Sequence, residues 1–268
     1  MKYYVISDVH GFYAEMINAL TENGFFQDAK PHKLILCGDM MDRGNEAVKM
    51  QEFMLEQLRK GDLIFIRGNH EDLMLEMLLR FDRYFESIMF GSSHHVHNGT
   101  FSTALQLSGM TERDVWKTYP ERKFVRAVEE SPFVKELIPA SVDYFETERC
   151  VFAHGWIPTI GTVSPKYDAN WRKASKLAWD KARWNNGMDM AVTFGVKVPD
   201  KTVVCGHWHT SYGHSKFGHR GSEWGDYGEP VDLSPFYADG IIALDGCVAL
   251  SHKVNCIVIE DEELNNGA

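Results

Sequence analysis

At 268 residues, the chain is long enough for one large domain, or for one domain carrying an inserted cap. Hydrophobic residues make up 44% and charged residues 25%, ordinary for a globular protein, which confines expected disorder to the acidic tail after Glu260. The formal net charge of -10, with no Lys/Arg-rich run, argues against nucleic acid as the main partner but not against metal ions, which offset carboxylates locally.

In chain order, residues 2–7 read as a strand and 12–23 as an amphipathic helix. Residues 34–37 form a second strand, followed by a helix over 46–60 with apolar Val48, Met50, Phe53, Met54, Leu55 and Leu58. Residues 63–66 are a third strand and 71–82 a third helix, with Met74, Met77 and Leu78 on its core face. This alternation signals an α/β unit with a parallel sheet. Residues 84–149 lose the rhythm: they read as mostly helical, punctuated by Pro120, Pro132 and Pro139, and are expected to form a cap inserted into a single domain spanning 1–268. His94, His95 and His97 are expected on the cap surface. A strand at 150–153, a helical stretch at 168–183 and a strand at 202–205 follow, then a loop over 206–230 rich in Gly and His. Short strands at 240–244, 248–251 and 254–260 suggest a second, partly antiparallel sheet. Apolar runs are strand-sized and the start MKYYVISDVHG shows no signal peptide, so a cytoplasmic protein without membrane contact is expected. Cys37, Cys150, Cys205, Cys247 and Cys256 are widely spaced, with no CxxC pair, and read as core thiols.

Five polar clusters stand where apolar runs end: Asp8-Val9-His10-Gly11, Gly38-Asp39-Met40-Met41-Asp42-Arg43-Gly44, Gly68-Asn69-His70-Glu71, Ala153-His154-Gly155 and Gly206-His207-Trp208-His209. Each adjoins a glycine that lets the backbone turn sharply. In open α/β sheets ligands bind beyond the carboxyl ends of the strands, so five loops are expected to converge on one rim. They bring oxygen and imidazole donors and no sulfur, a set suited to Mn, Fe or Zn. Seven or eight such donors are too many for one ion and about right for two, held roughly 3.5–4 Å apart by a shared carboxylate. Asp39 is the natural bridge.

In this order the clusters resemble the signature of the calcineurin-like metallophosphoesterases: DxH, GDxxDRG, GNH[ED], a lone His and GHxH. The resemblance runs from residue 3 to about 260, interrupted by the cap. It implies an αββα sandwich of two mixed sheets flanked by helices. The Asp42-Arg43-Gly44 ending, Arg67-Gly68-Asn69-His70-Glu71 and Leu244-Asp245-Gly246-Cys247 look most like the serine/threonine protein phosphatase branch, including its bacterial and phage members. By that resemblance Asp8, His10 and Asp39 would hold one metal, and Asp39, Asn69, His154 and His207 the other, with His209 completing the first site as in the wider superfamily. His70 would be the general acid, oriented by Asp42, and Arg43 would grip the phosphate. Arg183 falls where the branch keeps a second phosphate-binding arginine, whereas Arg67 is expected in structural pairs. The activity implied is hydrolysis of phosphate monoesters by metal-activated water, with Mn and/or Fe as cofactor and Zn as the alternative. A phosphorylated protein is the favoured substrate. The runner-up is a dinucleoside polyphosphate (bis(5'-nucleosyl)-tetraphosphate) hydrolase of the same fold, whose branch tends to read LGNHD at the third cluster. A non-catalytic scaffold should show eroded ligands, and none is missing here.

Overall fold

Period-two alternation in the first strand sets the architecture. β1 (Lys2–Ile6) turns Tyr3 and Val5 to one side and Tyr4 and Ile6 to the other, and all four are buried. A strand buried on both faces needs a layer on each. β1 pairs in parallel with β2 (His32–Cys37), which pairs in parallel with β3 (Leu63–Ile66). The connections are helical: α1 (Tyr13–Glu22) between β1 and β2, and α2 (Ala47–Lys60) between β2 and β3. α3 (Asn69–Leu79) follows β3 directly.

The computed structural model describes residues 1–119 and 122–263; the expected Pro120 break and the end of the acidic tail lie outside the described residues. After α3 the chain forms α4 (Phe81–Met89), α5 (His94–His97), α6 (Thr100–Ser108), α7 (Glu112–Thr118), α8 (Lys123–Glu129), a π-helical turn at Phe133–Leu137 and α9 (Ile138–Ala140). Phe81, Phe101, Phe124 and Leu137 from this region join Tyr4, Ile6, Leu34, Leu36 and Phe65 in one cluster, together with Met16, Met50 and Met74 of α1–α3. These helices therefore cover the outer face of the first sheet.

The second half adds β4 (Phe145–Glu146), β5 (Cys150–Phe152), a small ribbon of β6 (Thr159–Ile160) and β7 (Lys166–Tyr167), then β8 (Thr202–Cys205), β9 (Phe236–Ala238) and β10 (Ile241–Ala243). β5, β8 and β10 run parallel, with β4 and β9 antiparallel at the two edges. Their inner face presents Cys150, Phe152 and Val204, joined by Leu244, to Tyr3, Val5, Ile35, Cys37 and Ile66 of the first sheet. Their outer face, with Val151, Val203 and Ile241, is covered by Trp156, Trp171 and Trp179, the last from α10 (Lys176–Ala182). The result is two mixed sheets packed face to face with helices outside.

Three expectations change. Residues 248–251 are a single helical turn, α12 (Val248–Ser251), after α11 (Thr210–Lys216); left-handed residues Cys247 (φ 48°) and His252 (φ 51°) bound it, so it cannot continue as a strand. The last strand, β11 (Cys256–Glu260), joins the first sheet rather than the second, pairing antiparallel with β1 and covering its edge. The helix expected over 168–183 is shortened to α10, because extended Ser175 caps it by accepting the Ala178 N–H at 3.3 Å.

The two sheets meet through aromatic contacts, with Tyr3 of the first sheet 5.8 Å from Phe145 and 6.3 Å from Phe152 of the second, ring to ring. Phe152→Ala should cost about 3–5 kcal/mol of unfolding free energy, read from denaturant melts as a lowered midpoint at constant slope. A change under about 1 kcal/mol would mean that the sheets do not depend on this contact.

Candidate metal centre

Because β1, β2, β3, β5, β8 and β10 are mutually parallel within their sheets, each delivers a loop from its carboxyl end. β1 delivers Asp8 and His10; β2 delivers Asp39, Asp42 and Arg43; β3 delivers Asn69 and His70; β5 delivers His154 and β8 delivers His207. Eleven non-glycine residues have positive φ among the described residues, and six of them are here: Asp8 (52°), His10 (46°), Asp39 (55°), Asp42 (78°), Arg43 (61°) and His207 (69°). Left-handed backbone is costly outside glycine, so its concentration at one rim marks side chains held against local preference. Two glycines make room for them. A Cβ on Gly68 would lie 2.2 Å from Asp39 Oδ1, and one on Gly206 would lie 1.8 Å from Ser7 Oγ and 1.9 Å from Asp8 Oδ2.

Asp39 sits at the junction of two groups of ligand atoms. Its Oδ2 lies 3.9 Å from His10 Nε2 and 3.8 Å from His70 Nε2, while its Oδ1 lies 3.3 Å from His154 Nε2. His10, Asp39 and His70 bring ligand atoms within 4.8 Å of one another, and so do Asp39, His154 and His207. The protons are in the wrong places for these atoms to satisfy each other. His154 Nδ1 lies 2.8 Å from the Cys37 carbonyl, which only accepts, so Nδ1 carries a hydrogen and Nε2 is the nitrogen left to face the centre. That nitrogen faces Asn69 Oδ1 at 2.8 Å as well as Asp39 Oδ1. His10 repeats the arrangement, with Nδ1 3.0 Å from the Met41 carbonyl. Its Nε2 accepts from the Arg43 guanidinium at 2.9 Å, so a cation already stands against these lone pairs. Ring N–H groups tied to carbonyls, with the other nitrogens converging on carboxylate and amide oxygens, are the pattern of metal-ligating histidines. The residues present fit a pair of cations.

The electrostatics agree. Burial, reinforced by Arg43 and His70, holds the His10 pKa well below the usual imidazole range. Burial and His154 push His207 down to about 3. Burial acts to raise the Asp39 pKa, but His154, His70, His10 and His207 outweigh it, so it stays ionised far into acid. Neutral imidazoles around an ionised carboxylate are what a hard or borderline cation requires. Asp8 lies beside them: both its oxygens accept the His207 backbone N–H, at 3.1 and 3.0 Å, and burial with Asp245 and Asp39 nearby raises its pKa well above the usual range.

His70 donates from Nδ1 to Asp42 Oδ2 at 2.7 Å, while Arg43 reaches its Nε2 at 3.4 Å. Burial lowers the His70 pKa, but Asp39 and the Asp42 hydrogen bond outweigh it and the net shift is upward. Two threonines of α6 hold Asp42, with Thr100 Oγ1 donating to Oδ2 at 2.8 Å and Thr103 Oγ1 accepting the Asp42 N–H at 3.0 Å. Sequence reading missed both, because a threonine in a helix carries no motif. Glu71 closes the third motif without a role of its own in the sequence, yet it is fully buried and gathers the Gly68, Asp39 and Met40 N–H groups at 2.7, 3.2 and 3.0 Å. It clamps the β2 and β3 loops together, and burial beside Asp39 raises its pKa to about 7.

Three residues stand elsewhere than expected. His209 is not brought into the cluster: it pairs through Nε2 with Glu223 at 2.9 Å, and its ring lies 4.2 Å from that of Trp224. Arg183 does not face open space. It is buried among carboxylates, reaching Asp72 at 2.7 Å, Asp180 at 2.6 Å and also Asp143, and so ties α3 to α10. Arg67 joins it as expected, bonding Asp72 at 2.8 Å. His95 is fully buried instead of on the surface, packed 4.7 Å from the Tyr84 ring.

Comparison with known proteins gives a consistent picture. The family described as calcineurin-like phosphoesterase matches residues 1–211. An asymmetrical bis(5'-nucleosyl)-tetraphosphatase of Bacillus velezensis is 30% identical over 257 residues, covering 92% of this chain and 85% of its own. The Bacillus subtilis enzyme of the same name is 24% identical over 255 residues, covering 92% and 87%. A solved cold-active protein tyrosine phosphatase superposes with a TM-score of 0.53 at 14% identity, covering 97% of this chain and 73% of its own, a likeness of fold.

Gly206→Ala should drive a methyl group into Ser7 and Asp8, lowering metal affinity by roughly 10–100-fold while the far-UV circular dichroism stays unchanged. Unaltered metal affinity in a folded variant would remove Asp8 from the centre.

Proposed function

The chain belongs to the calcineurin-like phosphoesterase family, and we propose that it hydrolyses dinucleoside polyphosphates, bis(5'-nucleosyl)-tetraphosphates foremost, at a two-metal centre bridged by Asp39. The spelling Arg67-Gly68-Asn69-His70-Glu71 tips the balance toward a phosphoprotein substrate by two residues. Similarity to a tetraphosphatase through 92% of the chain outweighs it and favours the dinucleotide. The reaction class rests on one observation above the others: the two oxygens of Asp39 face different sets of imidazoles.

In this reading Asp8, His10 and Asp39 would hold one ion, and Asp39, Asn69, His154 and His207 the other. The donors are oxygen and nitrogen without thiolate, which suits Mn and/or Fe, with Zn as the alternative. When bound, the pair supplies charge neutralisation for the phosphoryl oxygens and a nucleophile from water at neutral pH. Arg43, whose guanidinium lies between His10 and His70, takes two phosphoryl oxygens as a fork. His70 delivers a proton from Nε2 to the departing oxygen, and Asp42, steadied by Thr100, keeps the imidazole aimed and stabilises its charged form. Arg183 acts behind the rim as a clamp. Residues of about 84–149 serve as an insertion within a single domain that supports the acid through α6.

When a phosphoanhydride bond breaks, the leaving oxygen belongs to a nucleotide's phosphate, a weaker base than a seryl alkoxide, so it demands less of His70. Wild-type protein with Mn should show a higher kcat/KM for a dinucleoside tetraphosphate than for a phosphoserine peptide. His70→Asn should lower kcat on the phosphopeptide by on the order of 10²–10⁴-fold, and less on the tetraphosphate, with metal content retained. A phosphopeptide preference in the wild type would reverse the choice of substrate. Equal losses on both substrates, or a missing ion, would remove His70 as the acid.

A further inference from the structure

Next to the metal rim, on the side of His209, lies a cavity of about 280 Å³ lined by His209, Trp224, Val231, Leu233 and Leu250, with Glu223 in its wall. We propose that this cavity seats one nucleobase of the substrate, stacked on the Trp224 indole. The proposal rests on the dinucleoside reading above and adds where the base goes.

The position follows from the chain. His209 is two residues beyond His207 and caps α11. Cys247, also in the lining, donates its backbone N–H to Asp245 Oδ1 at 2.7 Å. The His207 N–H bonds Asp8 of the centre, and the Asp245 carbonyl accepts the Thr210 N–H at 2.9 Å, so the segments that line the cavity at His209 and Cys247 run directly from the rim.

The chemistry of the walls selects the occupant. Three aliphatic side chains and an indole disfavour a phosphate or a ribose, and a carboxylate in the wall repels phosphate outright. Trp224 is 57% exposed, a large apolar face left in water. A flat heteroaromatic ring stacked on it removes that face from solvent, as bases stack on aromatic side chains in single-strand binding proteins. Glu223 then accepts from an exocyclic amine, the hydrogen bond that carboxylates make to nucleobase amino groups. The volume agrees, lying below the 300–1,000 Å³ of sites that enclose a whole drug-sized ligand, and so it matches one fragment of a larger one. His209, expected among the ligands, here forms part of the cavity wall.

The test uses the metal-loaded enzyme and two reporters: KM for diadenosine tetraphosphate, and inhibition by adenosine 5'-monophosphate set against inhibition by inorganic phosphate. Trp224→Ala removes the stacking face, and Leu250→Trp fills the cavity from its exposed lip. Each should raise KM, and the inhibition constant of the monophosphate, by roughly 5- to 150-fold, the range of a lost base–aromatic stack, with phosphate inhibition unchanged. Trp224→Phe should restore most of the loss. Unchanged monophosphate inhibition in both variants would overturn the proposal, as would inhibition by the monophosphate no tighter than by phosphate in the wild type. The functional reading fails separately, if wild-type enzyme cleaves inorganic tetrapolyphosphate as well as it does the dinucleotide; monophosphate inhibition still decides whether a base enters the cavity.

Discussion

The rest of the structure answers to a shortage of protons around one buried carboxylate. Asp39 is surrounded by imidazoles, of which His10 and His154 commit a ring hydrogen to a backbone carbonyl and His70 commits one to Asp42, and its second oxygen shares His154 Nε2 with the Asn69 amide oxygen. Such a set of lone pairs is unfavourable in a low-dielectric interior unless positive charge is supplied. The Arg43 guanidinium supplies some of it on the His10 side. A pair of metal ions would supply the rest, and the same charge would stabilise a phosphoryl group as its bond to the leaving oxygen breaks.

Holding these groups together requires backbone that resists its own preferences, and the two sheets provide the resistance. The left-handed residues Asp8, His10, Asp39, Asp42, Arg43 and His207 sit directly beyond strands whose side chains are almost wholly buried. Glu71 adds a local brace by collecting three backbone N–H groups from two loops. The helical region between β3 and β4 contributes chemistry as well as cover, since Thr100 and Thr103 fix Asp42 from outside the sheet core. A change in that region therefore reaches His70 through Asp42 without touching the imidazoles around Asp39.

Much of this was legible in the sequence because motif and topology coincide. Parallel strands in the first half announced themselves by apolar runs alternating with helical periodicity, and each ended in a donor-bearing loop. What escaped was set by tertiary partners. The fate of residues 248–251 depends on left-handed turns at Cys247 and His252, which neither residue type signals. The pairing of β11 with β1 joins opposite ends of the chain, and no local pattern encodes it. Arg183 and His209 share motif positions with ligand-binding residues, but their neighbours here are carboxylates: Asp72, Asp143 and Asp180 for the arginine, Glu223 for the histidine. Pairing with carboxylates brought from other elements, Asp72 and Asp143 for the arginine and Glu223 for the histidine, fixes both placements. A buried Thr100 or Glu71 is visible only once the loops it braces are brought together.

Whether Asp39 bridges two ions is tested most directly by counting metals in Asp39→Asn. An amide oxygen is a poor bridging ligand, so the variant should keep its far-UV circular dichroism while elemental analysis shows at least one ion lost per chain and hydrolysis is abolished. Full occupancy by Mn or Fe with near-normal turnover in Asp39→Asn would contradict the two-metal account.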